Sequence, residues 1–74
     1  MRKNNHSPSI RLAKTVRMKR SELGLSQEKF AVKVGIDRTY ASKIERGIGN
    51  PSLEVLSLIA QALSCTISEL FDDS

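Results

Sequence analysis

The sequence predicts an all-α domain of five short helices, and three observations predict it. Apolar residues recur at three- and four-residue steps, and no segment alternates apolar with polar residues as a strand does. A Ser, Thr or Asp precedes each apolar run, where its side chain can accept from the first backbone N–H groups of a helix. Gly24, Gly35 and Gly47 then follow three of these runs, as glycine does where a helix ends in a left-handed residue.

Residues 1–8 carry no apolar periodicity and read as a loose basic arm, leaving residues 9–74 as one domain. Ser9 is placed to cap a first helix to about Leu23, with Ile10, Leu12, Ala13, Val16 and Leu23 on its apolar face. Ser26 caps a second helix whose buried stripe is Phe30, Ala31 and Val34, and Gly35 stops it. Asp37 caps a third, Arg38 to Arg46, with Ala41 and Ile44 inward; Gly47 closes it. Gly49, Asn50 and Pro51 form a turn. Ser52 caps a fourth helix, Leu53 to about Leu63. Thr66 and Glu69 have the spacing of a capping box for a short last helix ending near Phe71.

A chain of 74 residues buries only about 60% of its unfolded surface, so its core is thin and wants reinforcement. A single cysteine, Cys65, excludes an internal disulfide. His6 is the only histidine, so a structural zinc lacks ligands and no metal is expected. Self-association is the remaining device. Cys65, between Leu63 and Ile67, reads as a small buried apolar residue in preference to a reactive thiol. No stretch approaches the ~20 apolar residues of a membrane span, and the basic N-terminus lacks the apolar region of a signal peptide. A cytoplasmic protein with no membrane partner is the expectation.

Net charge is +4, and its distribution says more than its size. Residues 1–20 hold Arg2, Lys3, Arg11, Lys14, Arg17, Lys19 and Arg20 and no acid; residues 52–74 hold Glu54, Glu69, Asp72 and Asp73 and no Lys or Arg. One side therefore faces a polyanion and the other turns away. Catalysis is not expected. There is no phosphate-binding glycine loop and no metal cluster, and the one histidine lies in the arm. No cofactor and no small-molecule ligand are implied.

The informative stretch runs from Leu25 to Gly47. Two short helices meet across Gly35-Ile36-Asp37, with Ala31 small at their crossing, Gly35 permitting the reversal and Ile36 filling the angle. A helix-turn-helix, spanning about residues 26–46, requires this combination. From Val16 to Leu70 the chain resembles the phage-repressor/Cro type of helix-turn-helix protein, the XRE family. The matching residues are Arg20, Gly24 to Gln27, Phe30-Ala31, Gly35-Ile36, Ser42 to Gly47, Asn50 to Leu53, Ile59-Ala60, Ala62-Leu63 and Glu69 to Phe71. Asp37-Arg38-Thr39-Tyr40 with Ile44-Glu45-Arg46-Gly47 is most similar to the controller proteins of bacterial restriction-modification systems. Phe30 departs from the usual Leu, and Lys19 from a common apolar residue, which implies a rotated first helix or a narrowed stripe.

The resemblance implies a five-helix, phage-repressor-like fold that binds double-stranded DNA. The third helix then lies in the major groove with its N-terminal residues toward base edges. Arg38 is placed to fork onto O6 and N7 of guanine, or else to meet a phosphate. Thr39 can donate to a base or touch a thymine methyl; Tyr40 can stack on a sugar or reach a phosphate, or else pack against the first helix. Ser42 and Lys43 follow one turn on. Gln27 is implied to contact a phosphate and to brace the first recognition residue. Arg46 and Asn50 are placed to grip phosphates, and Arg17 or Arg20 is a further candidate. For Arg20 an ion pair with Glu45 is the preferred reading.

The fourth helix is apolar nearly all round. Leu53, Leu56, Ala60 and Leu63 form one stripe over the helix-turn-helix; Val55, Leu58, Ile59 and Ala62 form another. The second stripe, with Ile67 and Phe71, is expected to bind a second copy of the chain, unless the last helix and the arm fold over it. A homodimer would place its reading helices roughly 34 Å apart on a pseudo-palindromic operator. The function so read is transcription regulation. The alternative is an antitoxin-type module that neutralises a partner protein and also binds DNA; only three residues follow Phe71, which counts against it.

Overall fold

Ser7, not Ser9, starts the first helix. Ser7 is extended (φ −61°, ψ 159°), its hydroxyl accepts from the Ile10 N–H, and Pro8 takes the first helical position. The proline carries no N–H where none is needed and its ring presets the helical φ, which moves the start two residues upstream of Ser9. The computed structural model describes residues 7–72. Residues 1–6 of the expected arm lie outside the described residues, while Ser7 caps the helix and Pro8 begins it.

Five helices follow: α1 (Pro8–Glu22), α2 (Gln27–Val34), α3 (Arg38–Glu45), α4 (Leu53–Ala62) and α5 (Ile67–Leu70). No strand occurs among the described residues. Ser26, Asp37, Ser52 and Thr66 cap the last four as their spacing requires, and Thr66 with Glu69 completes the capping box in both directions. Gly24 (φ 69°) closes α1 with the Leu25 N–H bonded to the Arg20 carbonyl. Ser64 does the same for α4 at φ 56°, with the Cys65 N–H on the Ala60 carbonyl. A serine in that conformation leaves no glycine signal in the sequence.

Helix α1 packs on α3 and α5, α2 on α3 and α4, and α4 on α5. Leu12 and Val16 from α1, Phe30 from α2, Ile44 from α3, Ile59 from α4 and Leu70 from α5 meet in one core. Each such side chain contributes about 1.5–3 kcal/mol through removal from water. Phe30 is wholly enclosed, so the larger ring is accommodated. The stripe of α1 is narrow: Leu12, Ala13, Thr15 and Val16 are buried, whereas Ile10, Met18 and Leu23 are about half exposed. Cys65 is half-buried against this core. Desolvation pushes its thiol above the usual value against the opposing pull of Lys19, with Glu69 adding to the rise.

Helix α4 corrects the two-stripe reading. At about 100° per residue, its apolar positions form one broad arc centred on Ile59, with Val55 and Leu63 on either side of it. Ile59 and Ala62 are buried in the chain's own core, and Val55 and Leu56 pack partly against it. Leu53 and Leu58 sit at opposite edges of the arc and are 70% and 42% exposed. Leu53 therefore does not cover the helix-turn-helix, and Ile59 and Ala62 are not free to meet a partner.

Candidate nucleic-acid interface

The crossing of α2 and α3 depends on Gly35. It is left-handed (φ 89°), and the Gly35 and Ile36 N–H groups both donate to the Ala31 carbonyl at 2.9 Å. The chain reverses within three residues, and half-buried Ile36 packs against the core in the angle. Asp37 then caps α3, its Oδ1 accepting from the Thr39 N–H at 3.2 Å.

Helix α3 has two faces. Ala41, Ile44 and Glu45 are buried, while Arg38, Thr39, Lys43 and Arg46 are exposed, with Ser42 half-buried between them. These outward positions follow the spacing i, i+1, i+4, i+5, i+8, so they share one side of the helix. Tyr40 is half-buried and packs against the core. Asn50 is exposed beyond the turn.

The turn leading to Asn50 rests on a close approach that the sequence did not announce. Gly49 is buried, and a Cβ there would stand 3.2 Å from the backbone N and Cα of Ile44. Its N–H and that of Ile48 both donate to the Lys43 carbonyl at 3.1 Å. The glycine lets the chain return along the end of α3 and carry Asn50 beside it.

Behind the exposed face, charges fix the orientation of α3. Arg20 holds Glu45 through two hydrogen bonds, Nε to Oε2 at 2.6 Å and Nη2 to Oε1 at 2.8 Å, and its Nη1 donates to the Leu25 carbonyl at 2.9 Å. One guanidinium thus ties α1, the α1–α2 turn and α3 together. The Glu45 hydrogen bond raises the already high Arg20 pKa, against the effect of burial, and the Glu45 charge supports it. Gln27 Nε2 approaches Glu45 Oε1 at 3.4 Å, so its contact within the chain is with the far end of α3 and not with Arg38. Arg17 Nη1 donates to the Glu45 carbonyl, capping the last turn of α3.

Arg38, Thr39, Ser42, Lys43 and Arg46 thus share one side of α3, Asn50 is exposed after the turn that follows it, and Gln27 is half-buried behind its far end. Val55, Ile67 and Phe71 are half-buried against the core, and of the expected contact residues only Leu58 is exposed, at 42%. No helix among the described residues is long and apolar enough to cross a membrane.

The chain is similar to known proteins in sequence and in fold. Residues 16–70 match the Helix-turn-helix family. The chain is 45% identical over 60 residues to the control protein C.MunI of a Mycoplasma species, covering 81% of each chain. It is 37% identical over 62 residues to the HTH-type transcriptional regulator SlrR of Bacillus subtilis, covering 82% of this chain and 41% of that longer one. Its fold superposes with a TM-score of 0.82 on the restriction-modification controller protein C.AhdI of Aeromonas hydrophila, at 36% identity over 89% of this chain and 100% of the other. The chain belongs to the helix-turn-helix family of the XRE type and is a DNA-binding transcription regulator.

Proposed function

We propose that the protein is the controller of a restriction-modification system, acting in the cytoplasm as a homodimer on a pseudo-palindromic operator. The observation that carries this reading is the similarity to C.MunI along most of both chains, reinforced by the likeness to the C.AhdI structure. In this reading α3 lies in the major groove. Arg38 at its start donates to guanine O6 and N7, Thr39 and Ser42 meet neighbouring base edges, and Lys43, Arg46 and Asn50 hold phosphates. Gln27 presents the N-terminal end of α2 to the backbone. Tyr40 sits at the edge of the same surface and supports it from the core.

The dimer contact is assigned to Leu58 with the exposed parts of Val55, Ile67 and Phe71. Selection of bound duplexes from a random pool tests the proposal directly. It should return two inverted half-sites about one helical turn apart. A single unrepeated site, or a sedimentation profile that stays monomeric at tens of micromolar and on DNA, would overturn the homodimer.

A further inference from the structure

The cations of α1 remain to be placed, and their positions relative to the reading helix are fixed by two contacts. Near the start of α1, a Cβ at Gly47 would lie 3.3 Å from Ile10 Cγ1 and 3.6 Å from Ile10 Cα, so Ile10 rests on the turn that leaves α3. Two turns on, Arg17 donates to the Glu45 carbonyl. Residues 10, 14 and 17 follow one face of a helix, so Lys14 lies between these contacts, alongside the C-terminal end of α3. Lys14 and Arg17 are both exposed, and Lys14 makes no ion pair or hydrogen bond within the described residues.

Arg46 joins them from α3 itself, exposed, with Nε on the Ser42 carbonyl at 3.4 Å. The end of a helix carries a partial negative charge that would repel a phosphate; here two guanidiniums sit on the carbonyls of that end. Within residues 7–21 and 38–53 the only acidic residue is Glu45, 4% exposed and held by Arg20. The result is a strip of positive charge beside the C-terminal end of α3, with the exposed acids Asp37 and Glu54 just outside these two stretches.

We propose that Lys14 and Arg17 form a second DNA-backbone site, holding the phosphates that flank the major groove at the C-terminal end of α3. The proposal rests on the DNA-binding reading of α3 and extends the footprint onto α1. It supplies affinity without sequence preference, because a phosphate carries no base information.

The test uses the full chain and a fluorescein-labelled duplex of mixed sequence, titrated between about 50 and 200 mM salt. Lys14→Gln and Arg17→Gln should each lower the magnitude of the log-affinity against log-salt slope by about 0.9, and the double variant by about twice that. Lys19→Gln removes the same charge on the side of α1 facing Glu69 and should leave the slope unchanged. Arg17 also caps α3, so Arg17→Lys provides the discriminating readout. A lysine restores a phosphate contact and the wild-type slope, whereas a slope equal to that of Arg17→Gln reduces Arg17 to a helix cap and overturns its role. A wild-type slope in Lys14→Gln, or an equal fall in Lys19→Gln, overturns the strip. Failure of the unaltered protein to bind the duplex would instead sink the DNA-binding reading itself.

Discussion

Arg20 on α1 and Glu45 on α3 form a lopsided pair: the carboxylate is 4% exposed and the guanidinium 21%. The two ends of the contact are therefore not equivalent. Arg20→Ala strands a charge that water barely reaches and is expected to cost about 3 kcal/mol, toward the lower end for buried pairs. Glu45→Gln leaves Arg20 its solvent and one amide acceptor and should cost about 1–2 kcal/mol. Urea denaturation of both variants checks the order.

Arg38→Ala should separate specificity from affinity. At fixed salt, preference for the selected operator over mixed sequence should fall by about 1–3 kcal/mol. Binding to mixed sequence should persist, because the phosphate-facing cations are untouched. Competition titrations of both duplexes measure the ratio; an unchanged ratio would remove Arg38 from the reading residues.

Two glycines should respond differently to alanine. At Gly35 nothing lies within 4 Å of an added Cβ, so the cost is that of a left-handed alanine, about 1–2 kcal/mol. At Gly49 the added methyl meets the backbone of Ile44, so the turn must move. Gly49→Ala is therefore expected to weaken DNA binding by more than its loss of stability accounts for, through displacement of Asn50. Thermal melts paired with affinity measurements decide this.

Helix α5 should loosen in acid. The Thr66 backbone N–H and then its hydroxyl hold the Glu69 carboxyl below its ordinary pKa. A carboxylate depressed in the folded state adds stability at pH values above its unfolded pKa. That stability is lost as pH falls through the lowered folded value. Glu69→Gln should remove the acid-sensitive component, whereas Thr66→Ala keeps the backbone N–H, reduces that component only in part, and should cost about 1 kcal/mol at neutral pH through the lost cap. Denaturation midpoints measured from neutral pH down into the acid range report both effects.

At the proposed dimer contact, Leu58→Glu should shift sedimentation toward monomer with the fold intact. Ile59→Ala, in contrast, opens a hole in the core and should cost about 2–5 kcal/mol without a specific effect on association. Equal behaviour of the two would show that α4 does not divide as its burial implies.

Much of this was legible in the sequence because it is local. Caps at Ser26, Asp37, Ser52 and Thr66 need only a side-chain oxygen before a helical run. Ala31, Gly35 and Ile36 describe their own crossing. What escaped depends on who meets whom across the chain. Ile59 and Ala62 read as a free stripe because periodicity gives the width of an apolar arc but not the direction of the core. Arg17 on the Glu45 carbonyl and Gly49 against Ile44 are tertiary approaches with no spacing rule. The Gly47-Ile48-Gly49 pattern was the one available hint at the latter. Ser64 escaped because serine seldom adopts a positive φ.

With α3 as the proposed reading helix, its two faces give the protein a way to change its target without endangering its fold. Arg38, Thr39, Lys43 and Arg46 contribute nothing to the core, while Ala41, Ile44 and Glu45 contribute nothing to the outward surface. Substitutions on the outward set should move stability by no more than about 0.5 kcal/mol. Divergence of this regulator toward new operators can therefore proceed one exposed side chain at a time, each intermediate remaining folded.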